Sequence, residues 1–207
     1  MKNATKYAEV LKSVARKVVR EYKPEAKQPR EPLPALVRAA MSYDVPDGKA
    51  EDAMKAIEKE FVDLNEFRVA TELEVQELLG QRYPEIETRV TMITAALNNI
   101  FEREHTMNLE RLKTISKRDA RQFLRELPGI HPFVEASVML YAFDAPAFPI
   151  DDEMLSYLVE EETVEEGTSL ADAQRFVEHQ LKGEDLYDLF ASLRIACYED
   201  GKRKKKR

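Results

Sequence analysis

The segment LPGIHPFVEASVMLYAFDAPAFPIDD, residues 127–152, decides the fold of this chain. The helix before it ends at Pro128 and Gly129, because proline stops a helix and glycine permits a tight turn. Pro132 then stands where a new helix can begin, since the first N–H groups of a helix have no intrahelical partner. The segment therefore predicts a hairpin between two helices.

The second helix of this hairpin is predicted to be buried on most sides, because almost every residue from 133 to 143 is apolar. A loop with Pro146 and Pro149 follows, and Asp151 is placed to open the next helix. The predicted order is therefore helix, hairpin, buried helix, proline loop and aspartate.

This order resembles the helix-hairpin-helix and Gly/Pro–Asp signature (HhH-GPD) of the endonuclease III superfamily of DNA glycosylases, whose pattern is roughly LPGVGxKTAxxVLxxAFxxPAFPVDTHV. The matching residues are Leu127, Pro128, Gly129, Ala142, Phe143, Pro146, Ala147, Phe148, Pro149 and Asp151. An isolated LPG is a weak signal, whereas LPG followed at the family spacing by AFxxPAFPxD is specific. The resemblance covers roughly residues 31–198, strongly from 120 to 158 and weakly before 80.

Apolar residues recur at helical spacing along the sequence, which predicts an all-α chain. No segment shows a clear alternation of apolar and polar residues of the kind that indicates a β-strand. The resemblance implies two helical lobes with a DNA cleft between them. One lobe holds the middle helices, and the other joins the N-terminal helices to the C-terminal ones. We expect an N-terminal helix and proline-rich linker in 1–30, the glycosylase-like domain in 31–200 and a basic tail in 201–207.

Charge bears on the partner that the chain can bind. The net charge is −7, and because residues 202–207 contribute six positive charges, residues 1–201 carry −13. An acidic body is unusual for a DNA-binding protein, since phosphate neutralisation supplies most non-specific affinity, although a local basic face can coexist with a negative total. We expect DNA to be the partner, contacted through the hairpin and the basic tail, and we leave the oligomeric state open.

Cysteine and histidine content argues against cofactors. A single cysteine, Cys197, allows no internal disulfide and no four-cysteine iron–sulfur cluster of the kind that many endonuclease III relatives carry. We interpret Cys197 as a core residue. The three histidines are far apart in sequence, so no metal site is predicted. Without a signal peptide or an apolar run near the roughly 20 residues of a membrane span, a cytoplasmic location is expected.

Asp151 is the candidate catalytic residue. The resemblance implies that it activates water or stabilises the oxocarbenium-like charge as the base leaves. It can also be a simple helix N-cap, in which case asparagine should replace it with little loss of stability. Asp152 and Glu153 stand where the family has threonine and histidine. We expect repulsion among the three carboxylates to raise some of their pKa values and to discourage phosphate.

Gly129, His131 and Tyr43 are the candidate DNA contacts. Backbone N–H groups at Gly129 and at the following helix N-terminus suit a phosphate. His131 stands where the family has its second glycine, so its side chain either crowds the approach of the phosphate or adds a contact to it. The alternative is a purely structural hairpin that binds no phosphate. Tyr43 lies where the family has the loop that fills the gap of a flipped base, so it either stacks on DNA or packs in the protein.

Phe133 occupies the position of the lysine with which bifunctional relatives form a Schiff base, and residues 121–160 contain no lysine. A lyase reaction by the family's route is therefore not expected. Two functions stay open. A divergent monofunctional glycosylase of base-excision repair is favoured by the intact AFxxPAFPxD segment. A non-enzymatic relative that binds DNA or protein is favoured by the acidic body, Phe133 and the acid triplet.

Overall fold

Eleven α-helices form within residues 4–199, the part of the chain that this structure, a computed structural model, describes. They are α1 (Ala4–Tyr22), α2 (Pro32–Ser42), α3 (Asp47–Glu60), α4 (Leu64–Val69), α5 (Glu72–Leu79), α6 (Ile86–Glu104), α7 (Lys117–Arg125), α8 (Pro132–Ala142), α9 (Asp152–Glu160), α10 (Leu170–Gln180) and α11 (Glu184–Arg194). A 3₁₀ turn (Glu110–Thr114) precedes α7, and a π-helical turn (Ile195–Glu199) extends α11. The described residues contain no β-strand, so the all-α prediction is confirmed.

The helices group into two units. The middle unit is Pro29–Asp144, and the terminal unit combines the residues up to Gln28 with those from Ala145 onward. The two-lobed organisation implied by the resemblance is therefore confirmed, with α2 to α8 in one lobe and α1 and α9 to α11 in the other. None of the described helices is long and apolar enough to cross a membrane.

Helix α2 organises the middle unit, because it packs on α3, α6 and α8. Its Leu36 and Met41 side chains are fully buried, and each such burial stabilises the fold by roughly 1.5–3 kcal/mol. The second helix of the hairpin, α8, is buried from Phe133 to Leu140, as its apolar sequence predicts. The hairpin is thus anchored in the core of this unit.

In the terminal unit, α1 packs on α10 and α11, and α9 packs on α10 and on the π-helical turn. Leu11 and Val18, on the apolar face of α1, are fully buried. Asp151 is the N-cap of α9 and therefore belongs to the terminal unit.

Two features of the middle unit differ from the sequence expectation. The sequence predicts a helix over 51–62, preceded by a break at Pro46 and Gly48. In the structure α3 begins at Asp47, so Gly48 lies in its first turn rather than in the preceding loop. Helix α4 was not expected, because six residues are too few to show a periodic pattern. Its Asp63 cap accepts two N–H bonds at 2.8 Å, and its Phe67 is fully buried, so capping and tertiary burial hold it.

Candidate nucleic-acid interface and aspartate site

The hairpin turn joins α7 to α8 through residues 127–131. Gly129 has a φ of 68°, in the left-handed region that glycine adopts without steric cost. The N–H of Ile130 donates to the carbonyl of Leu127 at 3.2 Å and closes the turn. A Cβ at Gly129 would lie 3.6 Å from Cγ of Met92, an ordinary contact, so backbone conformation rather than space requires glycine here.

His131 caps the second helix of the hairpin. Its Nδ1 accepts a hydrogen bond from the N–H of Phe133 at 3.1 Å. A neutral imidazole that accepts through Nδ1 carries its proton on Nε2, which is then a donor. Protonation of Nδ1 would break the cap, so a contact from His131 to a phosphate would use the Nε2–H of a neutral ring rather than an imidazolium.

Tyr43 packs on the hairpin. Its ring centroid lies 4.0 Å from that of His131 and 5.6 Å from that of Phe133. The buried Arg89 fixes the loop by donating to the carbonyls of Tyr43 at 2.6 Å and Ala40 at 2.5 Å. The structure therefore brings two candidate DNA contacts, Tyr43 and His131, into one aromatic cluster. In this cluster the Tyr43 ring packs against protein.

Glu135 ties the two helices of the hairpin together. Its side chain is 2% exposed, and it accepts from Nε of Arg121 at 2.5 Å and from Nε of Arg125 at 3.0 Å. The sequence shows Glu135 where the family has a small alanine, but it does not show this pairing. The sequence does contain a signal for this pairing. Two arginines four residues apart lie on one face of α7, and the apolar helix α8 that follows carries a single acidic residue. The pairing also offsets positive charge beside the turn.

The candidate catalytic Asp151 lies in the terminal unit and is 0% exposed. Its Oδ1 accepts the N–H of Met154 at 2.9 Å, which confirms the predicted N-cap. Its Oδ2 accepts from Nη1 of Arg194 at 2.7 Å and from the hydroxyl of Tyr198 at 2.9 Å. Both carboxylate oxygens are therefore engaged by protein donors.

Burial raises the pKa of Asp151 above its ordinary value, while Arg194, the Met154 N–H and Tyr198 act to lower it. Desolvation is the largest of these effects. The predicted rise is therefore present at Asp151, but desolvation rather than repulsion between carboxylates is its largest cause.

The sequence does not by itself identify Arg194 and Tyr198 as partners of Asp151. Arg194 is 2% exposed and continues the stripe of Leu186 and Phe190 at a spacing of four residues. An arginine within the apolar stripe of a helix is the signal that could have identified it, since a buried charge needs a partner. Tyr198 lies one helical turn further along, and the Arg194 guanidinium stacks 4.3 Å from its ring centroid.

Two further sequence predictions concern metal binding and Cys197. Between residues 4 and 199, no group of three His, Cys, Asp or Glu side chains could hold a metal ion. Cys197 is half-buried, and its Sγ lies 3.7 Å from the carbonyl oxygen of Glu153, which fits a structural role. The basic tail, predicted to contact DNA, lies outside the described residues.

The fold of this chain is similar to solved structures of DNA glycosylases. A Clostridium acetobutylicum 8-oxoguanine glycosylase/lyase in complex with DNA has a TM-score of 0.73 and 16% identity, covering 100% of this chain and 72% of that one. A non-covalent endonuclease III–DNA complex has a TM-score of 0.73 and 11% identity, covering 97% and 99%. The H. pylori 3-methyladenine DNA glycosylase bound to 1,N6-ethenoadenine has a TM-score of 0.65 and 15% identity, covering 99% and 98%. No protein-family model and no curated protein matches the sequence. The chain therefore has the helix-hairpin-helix fold of the endonuclease III-like DNA glycosylases.

Proposed function

We propose that this protein binds DNA through its hairpin and releases a damaged base as a monofunctional glycosylase of base-excision repair, with Asp151 as the reacting carboxylate. The observation that carries the proposal is the combination of a glycine hairpin at Gly129 with an aspartate at the N-cap of α9, in a fold that DNA glycosylases share.

The DNA-binding part rests on the turn and on the start of α8. The N-terminus of a helix carries partial positive charge, which suits one phosphate. At the start of α8 the N–H groups of Phe133, Val134 and Glu135 already donate to His131, so this charge and the turn itself carry the proposed contact. Gly129 keeps the turn free of a side chain, and His131 caps the helix that follows it. Backbone contacts of this kind position DNA without reading its sequence.

The chemical part requires Asp151 to change partners. In the structure Arg194 offsets the charge of Asp151, and no solvent reaches the carboxylate. A negative charge that stabilises an oxocarbenium-like sugar is weakened by a neighbouring guanidinium. Glycosylase activity therefore requires DNA binding to release Oδ2 from Arg194 or Tyr198.

The second candidate is a DNA-binding protein without base-release activity. The closed network of Asp151, Arg194 and Tyr198 specifically favours it, because three donors occupy the positions that water or a sugar would take. The acidic body and the buried Phe133 are compatible with the same candidate.

Base release separates these candidates. The substrates are duplexes that contain 8-oxoguanine, 3-methyladenine, 1,N6-ethenoadenine or a mismatched thymine. The wild-type protein is expected to release at least one of these bases, and Asp151→Asn is expected to lower that rate by about 10²-fold or more. Ile93→Ala is the control for lost stability, because it creates a cavity in the core of the middle unit and leaves Asp151 unchanged. This variant should retain the wild-type rate of base release. Binding of DNA by the wild type without release of any base would establish the second candidate.

The basic tail is expected to steepen the salt dependence of DNA binding. Each phosphate neutralised on duplex DNA contributes about 0.9 to the log–log slope, so six cations contribute at most about five units. A chain with each of residues 202–207 replaced by serine should therefore show a flatter slope in anisotropy titrations at several salt concentrations. Equal slopes for the two chains would show that the tail makes no phosphate contact.

A further inference from the structure

The start of α8 offers a phosphate less than a helix N-terminus usually does. The N–H groups of residues 133–135 already donate to His131. Glu135 also places a carboxylate in the first turn of α8, where negative charge offsets the partial positive charge of the helix end. A phosphate beside the turn of the hairpin therefore needs a donor and a cation from another element.

Helix α7 carries cations on the side that it turns to solvent. Arg118, Arg121 and Arg125 recur at spacings of three and four residues, so their side chains lie on one face of the helix, which we call the arginine face. The neighbouring acids Asp119 and Glu126 lie roughly a quarter of a turn round the helix. There each already accepts hydrogen bonds from other side chains. The arginine face thus keeps positive charge that the acids of its own segment do not cover.

Arg125 is held by one edge of its guanidinium. Its Nε donates to Glu135 at 3.0 Å, and this carboxylate is 2% exposed and belongs to the buried helix α8. The Arg125 side chain is 55% exposed, and its two Nη nitrogens make no hydrogen bond to the residues that the structure describes. Because a guanidinium carries its five N–H donors in a fixed fork, the Nη edge is open for a phosphate in the two-point geometry that arginine favours.

One carboxylate faces two guanidinium groups in this cluster. Arg121 donates to the other oxygen of Glu135 through its own Nε at 2.5 Å. Two arginines and one glutamate together keep one positive charge. The Arg125 side chain has also lost much of its rotational freedom before any ligand arrives, so less entropy is lost when it binds. The cluster therefore presents a preorganised cation at the end of α7.

We propose that Glu135 is a positioning residue, which orients Arg125 toward a DNA phosphate beside the Gly129 turn, and that Arg118 contacts a second phosphate. Both roles rest on the proposed DNA binding, and they add the side chains that supply its cations. Arg125 lies four residues before Gly129, and its bond to the first turn of α8 keeps it at the turn end of the hairpin. Contacts of this kind position the duplex and carry no sequence preference.

Loss of two arginines tests the phosphate contacts. Arg118→Gln with Arg125→Gln should weaken the binding of duplex DNA about tenfold and flatten the log–log salt slope by at most about 1.8 units, since each contact contributes about 0.9. Lys55→Gln with Lys59→Gln, exposed lysines on α3 of the same unit, removes the same charge and should change both quantities much less. Equal effects of the two pairs would overturn the contacts, because net charge alone would then explain the loss.

Glu135→Gln tests the positioning role through the sign of its effect. The substitution removes one negative charge, so arginines that act only as mobile charges would bind DNA more tightly. If Glu135 positions Arg125, binding should instead weaken about threefold or more, because the guanidinium must then be ordered on binding. Circular dichroism checks that the variant is folded. Unchanged or tighter binding by the folded variant would overturn the positioning role.

Arg125→Lys decides the same question if Glu135→Gln does not fold. Lysine keeps the charge, but an ammonium paired with Glu135 has no second edge of fixed geometry to offer a phosphate. Its DNA affinity should therefore fall close to that of Arg125→Gln. Wild-type affinity of Arg125→Lys would show that charge suffices and would refute the positioning role.

The same titrations distinguish failure of the arginine contacts from failure of the proposed function. Base release by the wild type, together with wild-type DNA affinity and salt slope in the Arg118→Gln, Arg125→Gln chain, would refute the arginine contacts alone. DNA binding without base release would remove the role of Asp151, and the arginine variants would still decide the contacts. A wild-type protein that binds no duplex DNA would refute both.

Discussion

Replacing Arg194 by methionine is expected to lower the free energy of unfolding by about 3–5 kcal/mol at neutral pH. Arg194 and Asp151 are 2% and 0% exposed, so the substitution leaves a buried carboxylate without its counter-charge. Methionine has a similar stem and refills much of the space, so lost charge compensation rather than a cavity dominates. Urea unfolding of both proteins measures the difference.

The loss should depend on pH. Burial already raises the pKa of Asp151, and removal of Arg194 raises this pKa further, because Arg194 is one of the groups that lower it. A raised folded-state pKa gives stability that is present below the unfolded pKa and is lost as pH rises through the folded pKa. The difference between wild type and Arg194→Met should therefore be small at acid pH and grow toward neutrality.

A double substitution provides the control for this pair. Asp151→Asn with Arg194→Met removes both charges, so it should be more stable at neutral pH than Arg194→Met alone, and its loss should not grow with pH. Tyr198→Phe removes one hydrogen bond and should cost about 1 kcal/mol. A pH-independent loss below about 1 kcal/mol for Arg194→Met, as expected for an exposed pair, would show that the pair is not buried in solution.

The ion pair between Asp151 and Arg194 also changes the stability that is expected for Asp151→Asn. As a cap, asparagine is nearly equivalent to aspartate, and sequence analysis alone therefore predicted little loss of stability. The structure adds Arg194, which asparagine leaves buried and uncompensated, so a loss of several kcal/mol is now expected. This is why base release by Asp151→Asn is compared with a variant destabilised elsewhere.

The hairpin could be predicted from sequence because local rules determine it. Pro128, Gly129 and Pro132 act within one turn, and the apolar content of α8 fixes its burial whatever its neighbours are. The sequence also predicts helix N-caps at Thr71, Ser116 and Asp151, because these residue types favour that position. All three caps are present in the structure.

The partners of Asp151 could not be predicted by such rules. Arg194 lies 43 residues and Tyr198 47 residues further along the chain, so only tertiary packing brings their side chains to Asp151. The stacking of Tyr43 on His131 is equally long-range. Sequence therefore located the elements that carry the candidate site, while the electrostatics of the site depend on contacts between distant segments.

The protein is expected to form no borohydride-trapped complex with abasic-site DNA. A Schiff base requires a largely deprotonated amine at the deoxyribose carbon, and Phe133 stands where the family's lysine would be. Its ring is 1% exposed and packs 5.6 Å from the ring of Tyr43, so it fills the interior rather than lining a pocket. An unperturbed lysine amine stays mostly protonated near neutral pH and is therefore a weak nucleophile.

Phe133→Lys is not expected to restore trapping. The substitution removes a buried ring, which costs about 3–5 kcal/mol, and buries an amine that lacks a partner. Phe133→Leu, which keeps the site apolar, should cost less and is the control for lost volume. The trapping assay compares wild type, Phe133→Lys and the serine-tail chain on abasic-site DNA. Stoichiometric trapping by both the wild type and the serine-tail chain would contradict the prediction, because a lysine elsewhere in the fold would then have to supply the amine.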